Sequence, residues 1–291
     1  MSANLKGIAL MVLAMASFAV SDGFLKELTK TVPSGQLLLV FGSTGGFILA
    51  ALALLRARQL FGRFLFRPLF LIRLAADMLA ATFIVSAFAN ASLSLVSAIL
   101  QVSPLIAALA AVWLLSERLG PRRLIAIGTG LTGVLIILEP WGEAIELGAV
   151  YAALGAAFLA LRDVLTRMMP ADTPSDAMVT FGFLAIAPGG LLLLAFEPDW
   201  VALNLSAAGL ILCGVLTGIF GYTMITLASR IAEIGAIAPF RYSRLVFAIL
   251  IGGIFFGERL SANAAIGAAL VIGSGLFIFL REAQLSQSAV K

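Results

Sequence analysis

Histidine is absent from this 291-residue sequence, and cysteine occurs once, as Cys213. Those shortages exclude intrachain disulfides, most zinc sites and any nucleophile–histidine catalytic arrangement. Charged residues make up only 12% of the chain, about half of the ~25% usual in soluble domains. The short alternating segments of a bilayer β-barrel are missing. So is any glycine loop running into Lys-Ser or Lys-Thr that would cradle nucleotide phosphates, and ATP drive within the chain is not expected. Nothing calls for a cofactor, and a membrane-embedded enzyme would have only carboxylates and hydroxyls to work with.

The chain is filled instead by apolar residues, 62% of the total. Apolar segments of ~20 residues recur along its length, enough to cross a ~30 Å hydrocarbon core. The pattern predicts an all-α polytopic membrane protein of ten transmembrane helices, at about 5–25, 34–55, 68–90, 92–115, 121–138, 147–167, 175–196, 204–228, 232–256 and 261–280. The first segment reads as a span and not a cleaved leader, because it is long, holds Asp22, and shows no small-residue cleavage site after a short apolar core. Connections are short, the longest running from Arg56 to Arg67.

A net charge of +4 would suggest nucleic acid in a soluble protein, but here its placement matters more. The side with the N-terminus and even-numbered loops holds Lys6, Arg56, Arg58, Arg63, Arg67, Arg118, Arg122, Arg123, Arg167, Arg230, Arg281 and Lys291; the other holds Lys26, Lys30 and Arg259. By the positive-inside rule both termini are expected in the cytoplasm, in the inner membrane, with no nucleic-acid partner. The acidic loops around Glu139, Glu143, Glu146, Glu197 and Asp199 then face outward.

Sliding the sequence along itself by 141 residues, with no gap, aligns Gly7 with Gly148, Asp22 with Asp163, Lys26 with Arg167, Pro33-Ser34 with Pro174-Ser175, and Glu117-Arg118-Leu119 with Glu258-Arg259-Leu260. The chain divides into repeats at residues 1–141 and 142–291. Each holds five spans, and an odd number inverts the second repeat in the membrane. Inverted repeats recur in secondary transporters, with the substrate near the midplane between them. Channels use them too, but no filter-like sequence or ring of repeated charges is present.

The two "ER" endings, WLLSERL at 113–119 and IFFGERL at 254–260, resemble the EamA branch of the drug/metabolite transporter superfamily. SPLIAALAAVWLLSE at 103–117 matches the family's proline thirteen residues before the glutamate; in the second half Leu245 stands at that place and Pro239 lies six residues earlier. The resemblance covers nearly the whole chain and implies a ten-helix exporter or exchanger of small metabolites. Export of amino acids, aromatic ones included, is its leading implication. Carriage of S-adenosylmethionine or a nucleotide-like solute is the alternative.

Ionisable residues inside spans are functional candidates by default. Here they are Arg73, Arg162, Arg241, Arg244, Asp22, Asp77 and Asp163. Arg73 and Asp77, four apart, share a helix face and can pair; Asp77 can instead meet Arg244. Arg162 and Asp163 are neighbours, which do not face each other on a helix, so separate partners or snorkelling of Arg162 are expected. Asp22, its repeat mate Asp163, and Arg162 are candidates for gating or coupling. Arg241 and Arg244, beside Pro239, form a candidate clamp for a substrate carboxylate or phosphate, or an interhelical bridge to Asp77 or Asp163. Tyr242 and Gln101 occupy repeat-related positions and are candidate cavity hydrogen-bonders; Tyr151, Tyr222 and Asn90 are weaker ones. The candidate substrate-binding set is Arg244, Arg241, Tyr242, Gln101 and Asp77. Trp113 reads as an interfacial anchor. Glu117 and Glu258 read as helix-end contacts, and the glycines as packing positions.

Overall fold

The computed structural model describes residues 3–115, 121–138, 146–170, 172–196, 199–232 and 237–289. Glu117, Arg118, Glu139, Glu143, Glu197 and Lys291 lie outside them, as do the side chains of Trp113, Arg122, Arg123, Arg230 and Arg281. The described residues form α-helices α1 (Ala3–Leu28), α2 (Ser34–Leu55), α3 (Pro68–Asn90), α4 (Leu93–Leu100), α5 (Ser103–Leu115), α6 (Pro121–Leu138), α7 (Leu147–Arg167), α8 (Ser175–Leu184), α9 (Ile186–Phe196), α10 (Leu205–Ile231), α11 (Ser243–Phe256) and α12 (Ala262–Ala289). Two 3-10 turns, Arg63–Phe66 and Ala238–Tyr242, complete them, with no strand among the described residues. Among the described residues, seven helical stretches are long and apolar enough to cross a bilayer, and shorter apolar helices run over 124–137 and 262–277. Each of the ten expected spans carries helix, and the protein is a multi-pass helical membrane protein.

Three spans differ from the continuous helices expected. The fourth is broken between α4 and α5, the seventh between α8 and α9, and the ninth begins as a 3-10 turn before α11. Proline explains the first two breaks. Its ring clashes with the carbonyl four residues back and it donates no hydrogen bond. Pro104 lies four residues after Leu100, where α4 ends, and Pro188 four after Leu184, where α8 ends.

Helix pairing follows the repeat. The first, eighth and ninth spans (α1, α10, α11) pack together, as do the sixth, third and fourth (α7, α3, α4–α5). The shift of 141 residues exchanges these two groups, and each mixes both repeats. Outside them, α2 packs on α8 and α9, and α6 on α12. These outer pairs close through glycine. A methyl on Gly35 or Gly190 would strike the other's carbonyl, and Gly133 and Gly267 oppose each other likewise. Backbone-to-backbone approach of this kind substitutes for a hydrophobic driving force that lipid cannot supply.

At one membrane face the loops of the two repeats are tied. Arg67 donates two hydrogen bonds to the Asp172 carboxylate, at 2.8 and 2.7 Å. These bonds hold Asp172 below its ordinary value of 3.8. A depressed carboxylate contributes stability above its unfolded value and loses it as pH falls through the folded one. The thermal-stability difference between wild type and Asp172→Asn is therefore expected to be constant near neutrality, small because the pair is exposed and salt-screened, and to vanish in acid. A difference that grows on acidification would contradict the pairing.

Candidate functional site

The third and sixth spans cross at a cluster of four charges. Asp77 lies nine residues into α3, ~14 Å along the helix axis at ~1.5 Å per residue and so near mid-depth. Arg73 Nη1 stands 2.9 Å from Asp77 Oδ2, with the two side chains 9% and 11% exposed. The i,i+4 contact therefore forms, but out of line for a hydrogen bond. Asp77 Oδ2 remains a buried oxygen with no hydrogen-bond partner among the described residues. Arg73 instead donates from Nε to Thr166 Oγ1 at 3.0 Å and from Nη1 to the Met178 carbonyl at 3.1 Å.

Arg162 of α7 completes the cluster. It lies 3.7 Å from Asp77 Oδ1 and donates to Asp163 Oδ1 from Nε at 3.1 Å and Nη2 at 2.7 Å. Separate partners or snorkelling were expected for these neighbours. The long Arg162 side chain instead wraps around the helix to reach Asp163 while still touching Asp77. The cluster borders a cavity of about 180 Å³ lined by Arg73, Asp77, Arg162, Gly182 and Tyr222 among others. A Cβ on Gly182 would stand 3.0 Å from Asp77 Oδ2, so the glycine leaves the carboxylate room on that side.

The other repeat strips this crossing of three of its four charges, keeping only Asp22 at the place of Asp163. The repeat shift carries Arg73, Asp77 and Arg162 onto Gly214, Gly218 and Ser21. There Ser21 Oγ donates to the Gly214 carbonyl at 2.8 Å, and a Cβ on Gly218 would meet only Ser21 Oγ and Phe183 near van der Waals range. One crossing is thus a packed seam and its mate a charged chamber.

The second ionic site joins α1 to α11. Arg244 donates from Nε to Asp22 Oδ2 at 3.0 Å and from Nη2 to Oδ1 at 2.9 Å and Oδ2 at 2.7 Å. Its guanidinium also lies 5.5 Å from the centre of the Phe18 ring, in cation–π range. The structure corrects the bridge expected to Asp77 or Asp163: Arg244's partner is Asp22. Asp22 lies toward the C-terminal end of α1, which faces Arg244 where α11 begins. Arg241 and Arg244 share no ion-pair partner among the described residues. Arg241 is exposed, has no ion-pair partner among the described residues, and lies close enough to Asp163 to interact electrostatically.

Gln101 and Tyr242 meet each other across the two groups, Gln101 Nε2 donating to the Tyr242 carbonyl at 3.4 Å. The Tyr242 side chain packs on α12, where a methyl at Gly275 would overlap its ring and hydroxyl. Of the weaker candidates, Tyr222 reaches the charged chamber, Tyr151 lies tilted beside Phe83, and Asn90 donates to the Ser86 carbonyl within its own helix. Two features escaped the sequence reading. Gly182 looked like any packing glycine, and Lys26, counted only as a loop charge, turns inward onto the α3–α4 connection. The repeat match between Lys26 and Arg167 was the available signal for the second.

The profile of the EamA-like transporter family matches residues 5–139 and 146–280. A riboflavin transporter of Rhizobium johnstonii is 31% identical over 187 residues, 64% of this chain and 61% of that one. The chain thus matches less than two thirds of that relative's length. The pseudopaline exporter CntI of Pseudomonas aeruginosa is 27% identical over 267 residues, 91% of this chain and 93% of that one. A protein of known crystal structure aligns with a TM-score of 0.65 at 22% identity, over 97% of this chain and 98% of that chain, a likeness of fold.

Proposed function

The chain belongs to the EamA-like transporter family, and from that premise we propose that it is a secondary transporter of the bacterial inner membrane. In this reading it exports a small zwitterionic metabolite, amino acids foremost, by alternating access between the two helix groups, with both termini cytoplasmic. The carrying observation is the chamber at Asp77: a buried carboxylate oxygen with no hydrogen-bond donor stands beside two guanidinium groups at bilayer mid-depth. A substrate ammonium hydrogen-bonds Asp77 Oδ2. The substrate carboxylate meets Arg162, with Arg241 approaching from the opposing group. Tyr222 of α10 closes the chamber from that side.

Among the described residues, each of the four span arginines except Arg241 already has a carboxylate in this state. The substrate carboxylate therefore competes with Asp163 for Arg162, and later with Asp22 for Arg244. Asp22 and Asp163, at inverted positions, are the internal ligands that take the arginines back when the site is empty. Gln101 and Tyr242 hold the fourth and ninth spans together where each is broken.

A second reading, a ring-bearing solute such as riboflavin or S-adenosylmethionine, is favoured by aromatic rings at the same crossing. Phe83 and Phe158 stack at 5.6 Å and 5°, and Tyr151 lies 6.1 Å from Phe83. Exchange of labelled amino acids, riboflavin, S-adenosylmethionine and a phosphorylated sugar in proteoliposomes separates the readings. Saturable amino-acid exchange, lost in Asp77→Asn, is expected. Flux of a ring-bearing solute with no amino-acid exchange would select the second reading, and no saturable flux at all would refute transport of these classes.

A further inference from the structure

The turn between α3 and α4 is gripped by two charged side chains from the opposing helix group. Lys26, near the end of α1, donates from Nζ to the Phe88 and Ala91 carbonyls, both at 2.6 Å. The first is among the last carbonyls of α3, which have no partner within the helix, and the second belongs to its C-cap residue. Glu258, just beyond α11, accepts at Oε1 from the Leu93 amide at 2.7 Å, and at Oε2 from the Ser94 amide at 2.9 Å and Ser94 Oγ at 2.8 Å. These are orphan donors at the N-terminus of α4. A cation at a helix C-terminus and an anion at a helix N-terminus both match the helix dipoles. Both are charge-assisted hydrogen bonds, roughly twice as strong as neutral ones.

The backbone is shaped for the grip. Gly257 takes a left-handed φ of 65° at the end of α11, and the Glu258 amide returns to the Gly252 carbonyl at 3.0 Å. A methyl on Gly252 would overlap the Glu258 carboxylate. Behind the turn the structure is tightly closed. Leu93, Val96, Ile99, Leu100, Leu245 and Ala248 are buried together. In the same half Ser97 Oγ is buried without a hydrogen-bond partner among the described residues, an arrangement that costs free energy unless another state hydrates it.

We infer that Lys26 and Glu258 form the latch that closes one of the two access paths. They join the α1–α10–α11 group to the α3–α4 turn at the membrane face opposite the Asp77 chamber's loops. Opening that path requires both to release the turn. The repeat shift places Arg167 on Lys26 and Glu117 on Glu258, so the same residue types recur at the opposite face; Glu117 lies outside the described residues. The inference concerns access and holds whatever the substrate.

The test uses full-length protein in lipid nanodiscs, with Cys213→Ser removing the exposed native thiol. One reporter is Ser97→Cys, behind the latch; the other is Ala81→Cys, lining the Asp77 cavity. A polar maleimide measures the accessibility of each. Lys26→Ala and Glu258→Gln are each expected to speed labelling at 97 about tenfold and to slow it at 81, because opening one path closes the other. Ser94→Ala removes only one of the three bonds to Glu258, is the least disruptive change, and should shift both rates in the same directions by about two- to threefold. Acceleration at both reporters would mean general loosening and overturn the inference. So would unchanged rates in monodisperse protein, and Ser94→Ala keeps this outcome readable if the charge variants do not fold.

Discussion

Arg162→Gln is expected to lower transport ~100-fold or more, while Arg73→Gln lowers stability more than rate. Arg162 touches both Asp77 and Asp163, at 3.7 and 2.7 Å, and among the described residues no other cation does. Its side chain is 32% exposed, but the opening is to the internal cavity. Removing it leaves Asp77 with Arg73 as its contacting cation, and Asp163 with only the more distant Arg241 and Arg167. Unpaired buried charge is among the few single changes with large effects. Arg162→Lys keeps the charge but not the fork that reaches two acids at once, so an intermediate loss is expected. Arg73 is spread over Thr166, the Met178 carbonyl and Asp77, three contacts that brace helices. Initial rates in proteoliposomes, at equal amounts of monodisperse protein, check the order. Equal effects of Arg73→Gln and Arg162→Gln on rate would place the chemistry elsewhere.

The second large effect is the coupling between Asp22 and Arg244. Asp22 is 8% exposed and its two oxygens receive three hydrogen bonds from one guanidinium. Breaking a buried pair by removing one partner costs about 3–5 kcal/mol, because a charge is left behind in low dielectric. Asp22→Asn and Arg244→Gln should each destabilise the protein on that scale. The double variant should recover most of the loss, since no uncompensated charge remains. Unfolding of the four proteins in detergent gives the coupling. Additive losses would mean that the two side chains do not depend on each other. Transport adds a separate reading: if Arg244 later meets substrate, the double variant stays inactive although its stability returns.

The fold was legible because its determinants are local and repeated. A bilayer demands ~20 apolar residues per helix, and each of the ten segments found on that rule carries helix. Prolines 104 and 188 end helices four residues earlier, as the geometry of the ring requires. Yet composition averages over a break, so each apolar run reads as one continuous span. Arg73 and Asp77 were placed together correctly by helical spacing, a relation within one element. Arg162 and Asp163 were separated wrongly by the same rule, which describes Cβ directions and not the reach of a guanidinium.

By itself the sequence determined the membrane class, the two repeats and the residue types available for chemistry. Those rest on chain-local quantities: hydrophobic length, charge placement and self-similarity. The tertiary structure alone decided that Arg244 belongs to Asp22, that Arg162 joins Asp77, and that Lys26 and Glu258 grip the turn beyond α3. In each case the partners lie on different helices, between 62 and 222 residues apart for the latch and the Asp22 pair. Several acids were open to each arginine along the chain. Which one it meets depends on how helices pack, and that is fixed by small residues such as Gly182, Gly214 and Gly252, whose meaning appears only when the neighbour they admit is seen.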